Sequence, residues 1–139
     1  MADQATLTAV KEMLGYTDAQ WETFKSNPRN MRIVDNLEEF QKYKVVAEVT
    51  HSCGCAAGHK VGDRIVFGAD GTLLCNENPS RVCVGLIAPL APHTSGVLDK
   101  ICSGEDPTRI AFDKVHCVDV GLEHGGWGEV VVQVKVEKA

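Results

Sequence analysis

Apolar residues recur at helical spacing at the start of the chain and at strand spacing from Tyr43 onward. Leu7, Val10 and Leu14 stand three and four apart, and Gly15 follows where a left-handed C-terminal cap belongs, which predicts a helix over Thr6 to Leu14. Thr17-Asp18-Ala19-Gln20 has the form of a capping box: Thr17 can accept a backbone amide and Gln20 can reach back to cap it. Trp21 and Phe24 follow on one face of a second helix that should stop before Pro28. Asn36 is placed to cap a third turn in which Leu37 and Phe40 share a face. Residues 1–42 therefore read as a helical N-terminal arm, with Trp21, Phe24 and Phe40 expected to meet a partner.

The period then changes to two. Tyr43, Val45, Ala47 and Val49 alternate with Lys44, Glu48 and Thr50, with Val46 the exception, which predicts a half-buried strand. Arg64–Phe67 and Thr72–Cys75 flank Gly68-Ala69-Asp70-Gly71, whose Asp-Gly pair suits a tight hairpin. Asn78-Pro79 offers a cap and a first helical position for a turn over Val82 to Leu90, ending near Pro89 and Pro92. A second short helix is expected over Thr94 to Cys102, closed by Gly104. Ile110 to Val118 reads as a strand, then comes a turn rich in glycine (Gly121, Gly125, Gly126, Gly128), and the alternation of Val130, Val132, Val134 and Val136 makes a last strand. The fold expected for 43–139 is a small, mostly antiparallel β domain with inserted short helices, and the whole chain is α+β.

Composition narrows the function. With 44% hydrophobic and 24% charged residues the chain has the make-up of an ordinary folded domain. Its formal net charge of -5 and the absence of any Lys/Arg run argue against nucleic acid as a partner. No apolar run approaches the roughly 18 residues of a membrane span, and Met1-Ala2-Asp3-Gln4 does not open a secretory leader, so a cytoplasmic protein without a membrane partner is expected. In a reducing compartment six cysteines point to metal ligation, reactive thiols or plain buried thiols rather than to disulfides.

His51-Ser52-Cys53-Gly54-Cys55-Ala56-Ala57-Gly58-His59 crowds two thiols and two imidazoles into one loop after a strand, and the permissive Gly54 lets a Cys-x-Cys pair turn toward one ion. Cys75, Cys83, Cys102 and Cys117 each sit at an expected element end, where ligands from distant sequence converge. The expected metal set is Cys53, Cys55, Cys75 and Cys117, with Cys83 or Cys102 as replacements. The competing reading of Cys83 and Cys102 is that of buried small hydrophobes among Val82, Val84, Leu98 and Ile101. His51 and His116 lie beside candidate thiols as ligands, supporting donors or bases, whereas His59 and His93 read as exposed loop residues. Phosphate-cradle, zinc-protease and nucleophile-elbow motifs are absent, and His116 and Cys117, as strand neighbours, point to opposite faces, which disfavours a Cys–His hydrolase.

Between about 43 and 136 the chain resembles a widespread family of small bacterial and archaeal cysteine-containing domains. The order of motifs carries the likeness: Cys55 before Lys60-Val61-Gly62-Asp63, Cys75 before the segment Leu86 to Leu90, and Cys117-Val118-Asp119 before Val130 to Val136. It implies Cys55, Cys75 and Cys117 as a shared set and brings no established activity. The helical arm, Cys53 and the long glycine-rich turn depart from the pattern and suggest docking to larger enzyme subunits, or self-association through the arm. Zinc-bearing subunits of this size occur in multi-subunit carboxylases, an analogy to which no motif here corresponds. The expected function is thus a zinc-binding, non-catalytic subunit or accessory domain. The alternatives are an iron–sulfur cluster, or thiol chemistry at Cys53 or Cys55.

Overall fold

In a computed structural model, which describes all 139 residues, Gly15 ends the first helix at φ +67°, a conformation that costs glycine nothing. Helix α1 (Gln4–Leu14) opens on Asp3, whose carboxylate accepts the Thr6 amide at 2.8 Å. The capping box forms at α2 (Asp18–Lys25), the Thr17 hydroxyl accepting the Gln20 N–H and the Gln20 side chain accepting that of Thr17. Pro28 does more than stop this helix. It is the first residue of α3 (Pro28–Asp35), where a missing N–H is not missed, and Asn27 caps it. A short α4 (Leu37–Phe40) follows.

Chain contacts divide the molecule into Met1–Glu39 and Phe40–Ala139. The first unit packs around Val10, Trp21 and Val34, with the Trp21 and Phe24 rings stacked at 5.2 Å. Trp21 and Phe40 are buried, which corrects the expectation that these two aromatics face a partner.

The second unit is built on one antiparallel sheet in the order β2-β1-β4-β3, formed by β1 (Tyr43–Cys53), β2 (Arg64–Gly68), β3 (Lys114–His116) and β4 (Glu129–Lys138). Val45, Ala47 and Val49 oppose Val136, Val134 and Val132 on β4, while Val45 and Ala47 oppose Phe67 and Ile65 on β2, so one face is continuous apolar surface. Leu86, Leu90, Val97 and Ile101, all buried, come from the helical segment α5 (Val84–Ile87), a 3-10 turn (Ala88–Leu90) and α6 (Ala91–Cys102). No helix is long and apolar enough to cross a membrane.

Three sequence expectations are corrected in this unit. The hairpin turn forms, with Gly71 at φ +87°, but its second arm makes only the Phe67–Leu73 bridge. Asn78 takes over that edge: its side-chain amide accepts from the Val66 N–H at 3.0 Å and donates to the Val66 carbonyl at 2.9 Å. With Asn78 so engaged, the next α-helix starts at Val84 after its N-cap Cys83 rather than at Asn78-Pro79, and Pro89 and Pro92 lie within the helical run instead of ending it. The strand expected over Ile110 to Val118 shrinks to β3, three residues long.

Gly96 lies exposed within α6, in helical backbone, and a Cβ at this residue would meet nothing within 4 Å. Gly96→Ala should raise stability by about 0.5–1 kcal/mol, because glycine loses the most backbone entropy on folding. Chemical denaturation of the two proteins checks this.

Candidate functional site

The sheet register brings the cysteine-bearing segments to one end of the sheet. Cys53 opposes Glu129 in the β1–β4 ladder, and beyond β3 the Cys117 amide still donates to the Val130 carbonyl at 2.9 Å. Cys117 Sγ in turn accepts the Val130 N–H at 3.3 Å and lies 3.8 Å from the Asp119 carbonyl. Gly54, at φ +63°, reverses the chain after β1 and leads to Cys55. Cys83 precedes α5, which is tied to the Cys117 segment where the Val118 amide donates to the Gly85 carbonyl at 3.0 Å.

As a result Cys55, Cys83 and Cys117, from three distant parts of the sequence, line one cavity of about 120 Å³ together with His59, Leu86 and Val130. The space is well below the several hundred Å³ of a typical organic-ligand pocket. It suits an ion with a small ligand. Three sulfur donors fit a thiophilic metal in chemical type. As the side chains stand, no three His, Cys, Asp or Glu groups close around one point.

His59 is buried rather than exposed, which corrects the sequence reading. Its Nε2 accepts the Cys83 N–H at 3.1 Å, so the ring proton is on Nδ1, facing Asp63 Oδ2 at 3.9 Å. Asp63 also accepts the Lys60 amide at 3.0 Å, and the Ser52 hydroxyl donates to the His59 carbonyl at 2.6 Å. His59 thus spends its lone pair bracing Cys83 to the Cys55 loop.

Asp119 organises the glycine-rich loop. Its carboxylate accepts the N–H groups of Gly121 (3.1 Å), Trp127 (3.0 Å) and Gly128 (3.0 Å). The amides of Gly128, then Trp127 and Gly121, hold this carboxyl below the usual aspartate range. A lowered folded-state pKa contributes stability above the unfolded value, about 3.9, and loses it as pH falls through the folded value. The melting temperature of wild type should therefore exceed that of Asp119→Asn most at neutral pH. The gap should narrow below about pH 4, as thermal melts across pH 3–7 would show.

A second cluster lies on the exposed side of the same strands. Glu129 Oε1 is 3.1 Å from His51 Nε2, and Oε2 is 3.1 Å from His116 Nε2. His116 Nδ1 is 2.7 Å from the Cys117 carbonyl. That carbonyl first, and Glu129 second, raise the pKa of His116, while His116 and then His51 lower that of Glu129.

Of the cysteines expected to bind metal, Cys55 and Cys117 share the cavity. Cys53, exposed, borders a neighbouring groove with Trp127 and Leu122. Cys75, also exposed, begins a 3-10 turn with its thiol toward the Leu73 carbonyl. Cys83 takes the third place, and Cys102 ends α6, away from the cavity lining. Sequence reasoning passed over Asp119 and Asp63 as supports. The signal for Asp63 was its position four residues after His59, and for Asp119 its position at the entry to a run of glycines that leaves backbone amides unpaired. Comparison of the chain with protein-family models, curated proteins and solved structures gives no match.

Proposed function

We propose that the chain is a non-catalytic metal-binding accessory protein of the cytoplasm, and that Cys55, Cys83 and Cys117 hold the ion, zinc in the first instance. The observation behind this reading is that three cysteines from separate segments line one small cavity. The Val130 amide fixes the position of Cys117 Sγ, and His59 supports the backbone of Cys83. A bound ion would join the Cys55 loop, the start of α5 and the end of β3, so its binding energy would be folding energy, on the order of 10 kcal/mol for structural zinc sites. Three protein donors leave a fourth position for water or for a donor from a partner, the latter in keeping with an accessory role beside a larger enzyme, of multi-subunit carboxylase type by analogy.

Elemental analysis of protein from zinc-supplemented cells tests the reading. About one zinc per chain is expected for wild type, as for a single structural site. The same content is expected for Cys53→Ser, Cys75→Ser and Cys102→Ser, and loss of metal for Cys55→Ser, Cys83→Ser and Cys117→Ser. Metal lost from Cys53→Ser and Cys75→Ser but kept by Cys83→Ser would move the ion to the set Cys53, Cys55, Cys75 and Cys117. Metal-free, fully folded wild type would reject the reading, and a brown protein after anaerobic purification would replace zinc by an iron–sulfur cluster.

A further inference from the structure

Strand β3 is an outer strand of the sheet, and its far edge is open. Val115 opposes Val132, and the same register carries on at both ends of β3. There the Val134 amide donates to the Asp113 carbonyl at 2.7 Å and the Cys117 amide to the Val130 carbonyl at 2.9 Å. Backbone groups alternate in direction along a strand, so Asp113, Val115 and Cys117 face β4 while the N–H and C=O of Lys114 and His116 point away from the sheet. No hydrogen bond from another segment reaches these outward groups. On either side of them the edge is sealed. The Phe112 carbonyl accepts from His93 Nε2 at 2.9 Å, and the Val118 amide donates to the Gly85 carbonyl at 3.0 Å. The opposite edge, at β2, is taken up by Asn78, which bonds both backbone groups of Val66.

This open stretch is complementary to itself. A twofold axis through Val115 pairs two β3 strands antiparallel and sets Lys114 of each copy opposite His116 of the other, where each opposed pair exchanges both of its N–H and C=O groups. A lysine on an edge strand ordinarily keeps further strands away. Here the axis sets it not against another lysine but against His116 and Glu129, whose carboxylate lies 3.1 Å from the His116 ring. Charge follows the same symmetry. Residues 107–114 hold Arg109 and Lys114 against the single carboxylate of Asp113, whereas from Val115 to Val134 there is no Lys or Arg but Asp119, Glu123 and Glu129. The axis therefore lays the basic side of one copy on the acidic side of the other. It also brings Phe112, 86% exposed, to Val118, 66% exposed, and so covers apolar surface that a single chain leaves in water.

We propose that the open edge of β3 is a dimerisation surface and that its partner is a second copy of this chain, paired antiparallel about Val115. The seals at Phe112 and Val118 confine the new ladder to Lys114 and His116, and the twofold closes the assembly at two copies. The interface uses neither a bound ion nor the thiol cavity, so it stands or falls apart from the metal reading.

Sedimentation equilibrium of the full chain from about 10 µM to about 1 mM, a range that brackets weak association, tests this together with amide hydrogen exchange read by NMR. Reducing conditions keep the exposed cysteines from joining copies by disulfides. The expected result is a monomer–dimer equilibrium in which exchange at the Lys114 and His116 amides slows as concentration rises. The Cys117 amide, bonded within the chain, should be protected at every concentration. Phe112→Ser and Lys114→Glu, both at exposed residues, should each weaken the dimer by about tenfold or more and leave the melting of the dilute monomer unchanged. Lys114→Pro removes one outward N–H and no bond to β4, and should abolish the dimer. If that variant does not fold, the other two variants and wild-type exchange still decide. A monomer at every concentration, exchange at Lys114 and His116 that does not change with concentration, or wild-type association in Phe112→Ser and Lys114→Glu would overturn the proposal.

Discussion

Gly128→Ala should destabilise the second unit by about 3 kcal/mol or more, at the upper end of overpacking costs, and disrupt the thiol cavity. A Cβ at residue 128 would lie 2.3 Å from the Gly54 carbonyl oxygen, 2.5 Å from its carbon and 2.6 Å from the Cys53 carbonyl oxygen. All three are backbone atoms, so no rotamer change relieves the overlap. The close approach follows from the ladder, in which Cys53 opposes Glu129, and from Gly54, whose φ of +63° turns the chain back across the start of β4. Moving Gly54 aside would move Cys55, and moving Gly128 would break its amide bond to Asp119. Gly125→Ala separates crowding from backbone strain. That residue is at φ +83° with open space around it, so alanine there should cost only the left-handed strain, roughly 1–2 kcal/mol. Urea denaturation of both variants checks the ordering, and equal losses would show that space at Gly128 is not the constraint.

Leu86→Ala should cost about 2–5 kcal/mol, the range for deleting a buried leucine from a packed core. Leu86 is 1% exposed and also lines the thiol cavity, so its loss would enlarge that cavity as well as remove apolar burial. Leu122→Ala is the control. Leu122 is 81% exposed on the glycine-rich loop, and its truncation should change stability by no more than about 0.5 kcal/mol. A Leu86→Ala loss as small as that of Leu122→Ala would mean that the helical segment is not packed as the structure has it.

The elements legible from sequence are those fixed by local chemistry. Gly15, the Thr17–Gln20 box, β1 and β4 needed only helical spacing, a cap or an unbroken alternation, and each is close to where these signals put it. Pro28 and Asn78 misled because their roles are settled elsewhere. A proline ends one helix and begins the next equally well, and Asn78 is taken from capping by the free edge of Val66. The strand expected over Ile110 to Val118 is shorter because only Lys114–His116 forms a ladder with β4, Asp113 and Cys117 adding one backbone bond each at its ends.

For the site, residue order alone established a surplus of thiols at element ends, and two of those singled out, Cys55 and Cys117, do stand on one cavity. Folding in three dimensions was needed to place Cys83 with them and Cys53 and Cys75 apart, to make His59 a buried brace, and to bring His51 and His116 together at Glu129. Spacing along the chain sets side-chain direction within one element, whereas these groupings depend on strand register, on the bulge at Thr50 and on where α5 is tied to the sheet. Each is set by pairing between residues far apart in sequence.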